Sequence, residues 1–126
     1  MRYSLLLFSC LMFSGCAADR EFQERIVHEI ARTRADIINM DLPISYEGLN
    51  IFQARAKGNI IYISADIEDG HSFNEALINN AVYNQCQNRE FKKVLESGIE
   101  YHLSIVNSKK QKNMTINEDT CNAIEN

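Results

Sequence analysis

The sequence predicts a two-layer α+β domain, an antiparallel sheet of about four to five strands with helices packed on one face. Three observations lead there. Apolar residues follow a helical spacing between Asp19 and Asn39, and they alternate with polar ones in Asn59 to Ile67 and again in Ile99 to Ile105. Residues that favour turns and helix ends separate these blocks, and the alternation leaves one face of the sheet too polar to be covered.

The first helix reads as amphipathic. Phe22, Ile26, Ile30, Ile37 and Ile38 form its apolar stripe, with Arg25, Glu29, Arg32 and Asp36 on the wet side. Leu42-Pro43 ends it, because the residue before proline avoids the α region, and Pro43 marks the expected hinge to the compact part. Leu49 to Ala56 and Asn59 to Ile67 are β-rich and joined through Lys57-Gly58-Asn59, the spacing of a hairpin. On the second of these strands Ile61, Ile63, Ala65 and Ile67 share a face. Asp69-Gly70 closes it, and Ser72 with Glu75 forms a capping box for a helix running to Gln87.

A second short helix spans Arg89 to Ser97, with Gly98 as its C-terminal stop. Ile99, Tyr101, Leu103 and Ile105 then alternate with Glu100, His102 and Ser104 as a strand. Asn107 to Asn113 is a polar, basic turn, Met114 to Asn117 returns as a short strand, and the last few residues fray. There is no internal repeat.

Composition narrows the class of protein. The chain has 126 residues, 45% hydrophobic and 24% charged, which suits one small globular domain rather than a disordered or polytopic chain. Its 13 Lys+Arg against 17 Asp+Glu give a formal charge of −4, without a basic stripe interleaved with aromatics, so nucleic acid is not an expected partner.

Residues 1–15 read as a signal peptide: Arg2 supplies the positive charge, Leu5 to Phe8 and Leu11 to Phe13 the apolar run, and Ser14-Gly15 the small residues at the cleavage site. The run falls short of the roughly 20 residues that a spanning helix needs. Phe13-Ser14-Gly15-Cys16 matches the lipobox pattern of bacterial lipoproteins, with Phe13 where Leu is usual, so Cys16 is the expected lipidated N-terminus. The alternative is ordinary cleavage near Ala17-Ala18. Each acyl chain contributes on the order of 0.8 kcal/mol per buried methylene, enough for several chains to hold the domain on a membrane. The expected division is 1–15 signal peptide, 16–40 lipidated N-terminus and amphipathic helix, and 41–126 compact domain.

Of the four cysteines, Cys10 leaves with the leader and Cys16 takes the lipid. Cys86 and Cys121 remain in an oxidising compartment, where one bridge is the expected use of them. A metal pair or a catalytic thiol is the other reading, but the two lie far apart in sequence, without Cys-x-x-Cys or Cys/His zinc spacing.

Other constellations give no chemistry. Asp66, Glu68, Asp69 and His71 crowd together as a metal site could, but a strand ending in Asp-Gly before a capped helix produces the same composition as turn chemistry. His28-Glu29 opens like a zinc protease motif and then has Arg32 where the second histidine should stand. His102 falls at an outward strand position and reads as a surface residue. Asn113-Met114-Thr115 is a chance sequon. Neither Gly-x-Ser-x-Gly nor a Gly-rich phosphate loop occurs, so no catalytic residue, metal or cofactor is assigned and the chain is not expected to be an enzyme.

Leu42-Pro43-Ile44, Ile51 to Gly58 with the strand after it, Tyr83-Asn84-Gln85-Cys86, Glu96-Ser97-Gly98-Ile99-Glu100-Tyr101 and Asp119-Thr120-Cys121 occur in an order that resembles the α/β, AspS-type class of type II secretion system pilotins, as distinct from the all-helical pilotins. The resemblance covers about Leu42 to Ile124, and its specificity lies in the order of the segments and in the cysteine pair. It implies a lipoprotein that binds the C-terminal helix of a secretin and carries it, through the lipoprotein sorting machinery, to the periplasmic face of the outer membrane. It also implies Cys16 as the lipid anchor and Cys86–Cys121 as the bridge.

Helix-in-groove docking on the helical side of the sheet is the expected binding mode. Phe73, Leu77, Tyr83, Val94 and Leu95 are the candidate contacts, each also readable as core. The rival readings are an accessory lipoprotein of a conjugation or type III secretion machine, and a periplasmic inhibitor.

Overall fold

The computed structural model describes residues 2–68, 73–107 and 110–125, with side chains at 20–68, 73–107 and 110–124. Elements run α1 (Arg2–Met40), β1 (Ile44–Tyr46), β2 (Leu49–Lys57), β3 (Ile60–Ile67), α2 (Glu75–Cys86), α3 (Arg89–Glu96), β4 (Glu100–Asn107), β5 (Lys110–Ile116) and α4 (Glu118–Glu125). The α+β class and the single Cys86–Cys121 disulfide are as expected. The five strands lie in sequence order, and all neighbours are antiparallel except β3 and β4, which are parallel. The sheet is therefore mixed rather than wholly antiparallel. Two helices intervene between β3 and β4, and a helical crossover returns the chain to the same end of the sheet, where a tight hairpin would reverse it.

Two hairpins open the sheet. Glu47 and Gly48 both have positive φ, 51° and 85°, as a type I′ turn requires, and they turn β1 into β2. At the next turn Gly58 alone is positive, at 62°, and Asn59 seals the loop by donating from Nδ2 to the Gly98 carbonyl at 2.9 Å. In β2, Ile51 opposes Ala65 and Gln53 opposes Ser64, so Phe52 is the extra residue of a bulge.

One face of the sheet is buried and carries the helices. Ile61, Ile63 and Ala65 of β3 lie beside Tyr101, Leu103 and Ile105 of β4, all under 10% exposed. From above, α2 contributes Ile78, Ala81, Val82 and Cys86, and α3 contributes Val94 and Leu95. The core-facing side of α1 departs from expectation. Ala31 and Ala35 are the buried residues, flanked by Val27, Ile30 and Ile38, whereas Phe22, Ile26 and Ile37 are 64%, 43% and 49% exposed. Small side chains let a helix lie close on a sheet, and counting only large apolar residues misses that face. Because these alanines belong to the common core, α1 is packed into the domain and Pro43 marks a bend rather than a hinge, with a cis Leu42–Pro43 peptide.

The cap of α2 also differs. Asn74 is the N-cap and accepts from the Leu77 amide at 2.7 Å, while Glu75 points to Lys112 instead of completing a capping box. Ser72, Asp69, Gly70 and His71 lie outside the described residues, as do the side chains of Cys10 and Cys16.

Gly98, at φ 102°, follows α3 as expected and donates to the Leu95 carbonyl. The turn expected over residues 107–113 is shorter, since β5 already starts at Lys110. The C-terminus forms α4 instead of fraying. Its start is a reciprocal cap: Asn117 N–H donates to Thr120 Oγ1, and Thr120 N–H donates to Asn117 Oδ1 at 3.0 Å. The disulfide then joins α4 to the end of α2, and both cysteines are buried.

Candidate functional site

The helical layer is not continuous. α1 rests over β2 and β3 through its alanine face, α2 and α3 pack further along the sheet, and between them runs a groove of about 300 Å³. Ile37 and Ile38 form one wall, Ala81, Val82 and Phe91 the other, and Ile63, Tyr101 and Leu103 the floor. Ile44, Tyr46 and Ile51 close the β1 side. The bulge at Phe52 and the short β1 bend this edge, and Ile44 faces Ile51 in the ladder.

Polar side chains also stand on this apolar surface. Arg34 of α1 donates from Nη2 to Glu90 Oε1 of α3 at 2.6 Å, so an ion pair bridges the two helical walls. Beneath it, Tyr101 stacks on Phe91 at 5.0 Å between ring centroids, and burial pushes the Tyr101 phenol above its ordinary value, with Arg34 opposing and Glu90 adding to the shift. Burial likewise raises the Tyr46 phenol, against a hydrogen bond with the Gln85 side chain. Asn88, the N-cap of α3, accepts from the Glu90 and Phe91 amides and so fixes where both side chains leave the helix.

The five candidates from sequence lie elsewhere. Val94 and Leu95 are buried, at 7% and 2% exposure, Phe73 and Leu77 pack partly buried against the core, and Tyr83 is 47% exposed on α2. The groove lining does not include any of the five. Sequence reasoning missed Ile44, Ile51, Gln85 and Tyr101 as groove residues, although all four fall within the segments that carried the family resemblance. Ile37, on the apolar stripe that the sequence predicts for α1, is half-exposed instead of buried, as a groove wall requires.

The opposite face of the sheet carries a polar ladder. Arg55 lies over the Tyr62 ring at 5.2 Å, Tyr62 meets His102 edge-on at 5.3 Å, and His102 Nε2 is 3.2 Å from Glu100 Oε2. His102 is thus half-buried among partners rather than a free surface residue. Among the described residues, no group of three or more His, Cys, Asp or Glu could hold a metal ion, and no helix is long and apolar enough to cross a membrane.

A small α+β domain with a groove of apolar walls, bridged by an ion pair and with only phenol, amide and ion-pair groups among its described polar lining, has the build of a binding module. The chain belongs to the type II secretion system pilotin family, S protein, whose family model matches residues 23–121. In fold it is similar to the type II secretion system pilotin AspS from Vibrio cholerae, with a TM-score of 0.74 and 22% identity over 81% of this chain and 98% of that one. EpsS, the pilotin of the Vibrio vulnificus system, gives 0.72 and 23% identity over 80% and 96%. The ETEC pilotin–secretin complex of AspS with GspD gives 0.54 and 20% identity over 73% and 88%. No curated protein matches the chain in sequence.

Proposed function

We propose that this chain is an outer-membrane pilotin that receives the C-terminal segment of a type II secretin as an amphipathic helix in the groove between α1 and α2–α3, and escorts it to the outer membrane from a lipid on Cys16 at the periplasmic face. The observation that carries the reading is the groove itself. It is apolar and open, with α1 on one side and α2–α3 on the other, and a helix about 10 Å across laid between them would bury its apolar stripe against the sheet. Membership of the pilotin family supports type II secretion over the conjugation and type III alternatives, and the ETEC structure shows a relative of the same fold in complex with its secretin.

A lipid-borne escort also makes physical sense. A secretin subunit must not oligomerise in the wrong membrane, and an address carried on a second protein needs no catalytic step. The test is titration of the soluble domain with peptides from the secretin C-terminus. Saturable binding that Ile37→Asp weakens at least tenfold is expected, whereas binding indifferent to groove substitutions would overturn the assignment of the site.

A further inference from the structure

Among the described residues lining the groove only Arg34 and Glu90 are charged, and they are bonded to each other across it. The side chains are 30% and 73% exposed, and a pair so exposed contributes little to stability, so it can be parted at small cost. Its geometry is that of a strap. One end is on α1, the other is on the first turn of α3, and the stacked Tyr101–Phe91 rings lie below it. A helix that settles on those rings must displace the strap.

The two ends are not equivalent once parted. Glu90 stands in the first turn of α3, where the positive end of the helix dipole favours a carboxylate with or without Arg34. Arg34 lies on α1 more than one turn before its C-terminal Met40, outside the last turn where the dipole would favour a cation, and a half-buried guanidinium facing an apolar groove needs an acceptor. The docking partner is therefore asked for a carboxylate.

We propose that the Arg34–Glu90 pair is a clasp over this end of the groove, which opens on docking as Arg34 exchanges Glu90 for a carboxylate on the incoming helix, fixing the register of that helix. The proposal rests on the groove being the secretin site. The carboxylate is either an acidic side chain or the chain terminus.

The test is a binding cycle with a synthetic peptide of about 20 residues from the secretin C-terminus, as a helix roughly 30 Å long. It uses wild type, Glu90→Gln and Arg34→Gln, with the native peptide, one whose acidic side chains are amides, and one with an amidated terminus. Glu90→Gln frees Arg34 and should bind the native peptide about two- to fivefold more tightly than wild type. Arg34→Gln should bind more weakly than Glu90→Gln, and that gap should close with whichever peptide has lost the contacting carboxylate.

A pair that only staples the walls together would make both substitutions shift affinity in the same direction, regardless of peptide charge, and that result overturns the clasp. Should Arg34→Gln melt early, wild type against Glu90→Gln with the three peptides decides alone. Wild-type protein that binds none of them, or binding untouched by Ile37→Asp, removes the groove reading and the clasp with it. Normal groove-dependent binding with silent charge variants removes only the clasp.

Discussion

The side-chain amide of Asn39 mimics a neighbouring strand for Ala54: Nδ2 donates to the Ala54 carbonyl at 2.7 Å, and the Ala54 amide donates to Oδ1 at 3.1 Å. β1 pairs with β2 only as far as Ile51, and the bulge at Phe52 follows, so the outer edge of β2 has lost its partner strand where Ala54 lies. Ala54 is 3% exposed and cannot turn to water. Asn39 thus both satisfies the edge and fixes the end of α1 beside the groove.

Asn39→Ala should therefore leave a buried backbone donor and acceptor unpaired and cost about 1 to 3 kcal/mol. Asn39→Asp keeps the acceptor but sets a carboxylate against a carbonyl, and it should do no better. Urea melts check this. An unchanged midpoint for both variants would show that the edge is not held by this residue.

The disulfide closes a loop between residues separated by 35 positions, and the chain-entropy argument gives it about 3 to 4 kcal/mol. Cys86→Ala with Cys121→Ala should lower stability by about that amount and loosen α4, which is also tied by the Asn117–Thr120 cap and by Thr120 Oγ1 donating to the Thr115 carbonyl of β5. Thiol counting under denaturing, non-reducing conditions should find neither cysteine free, and melting should become insensitive to reductant in the double variant.

Lys112 lies on the inward-facing row of β5 with Met114 and Ile116, and its ammonium reaches out to Glu75 in the first turn of α2 at 2.7 Å. The hydrogen bond from Lys112, then its charge, hold the Glu75 carboxyl below the ordinary 4.5. A depressed carboxyl contributes its stability above the unfolded value, and the contribution is lost as pH falls through the lower folded value. Lys112→Met should return Glu75 towards 4.5 in an NMR titration. Because Glu75 is exposed, melting at neutral pH should hardly move.

Much of the sheet was legible because burial on one side imposes a strict alternation. Ile61, Ile63 and Ala65, then Tyr101, Leu103 and Ile105, face the core as their spacing required. Periodicity is blind to the direction of the neighbouring strand, so the parallel β3–β4 pair was not legible from it. β1 escaped notice because three residues are too few to show a period, although Glu47-Gly48 is a hairpin turn. α4 has a weak apolar pattern and takes its place from the disulfide and the Asn117 cap. The groove was hidden for another reason. It is set by how closely α1 approaches the sheet through Ala31 and Ala35, a distance no local pattern encodes.

Cys16 is proposed as the lipidated residue from the Ser14-Gly15-Cys16 end of the leader. Cys16→Ser should abolish palmitate labelling, release the protein to the periplasm and strand the secretin at the inner membrane. Labelling that persists in the variant would count against both the anchor and the address it supplies.

Groove and core can be separated by opposite signatures. Ile78 of α2 is fully buried, and Ile78→Ala should cost about 2 to 5 kcal/mol of stability, whatever its effect on binding. Ile37 is 49% exposed on the groove wall, so Ile37→Asp removes little packing but puts a charge where an apolar helix would lie. It should melt close to wild type and bind secretin peptide at least tenfold more weakly, taking about 1.4 kcal/mol per decade. Tyr83, exposed on α2 outside the groove, supplies the control: Tyr83→Ala should leave both melting and binding nearly unchanged. If Tyr83→Ala weakens binding while Ile37→Asp does not, the secretin helix docks on the outer surface of α2 and the groove between α1 and α2–α3 is not its seat.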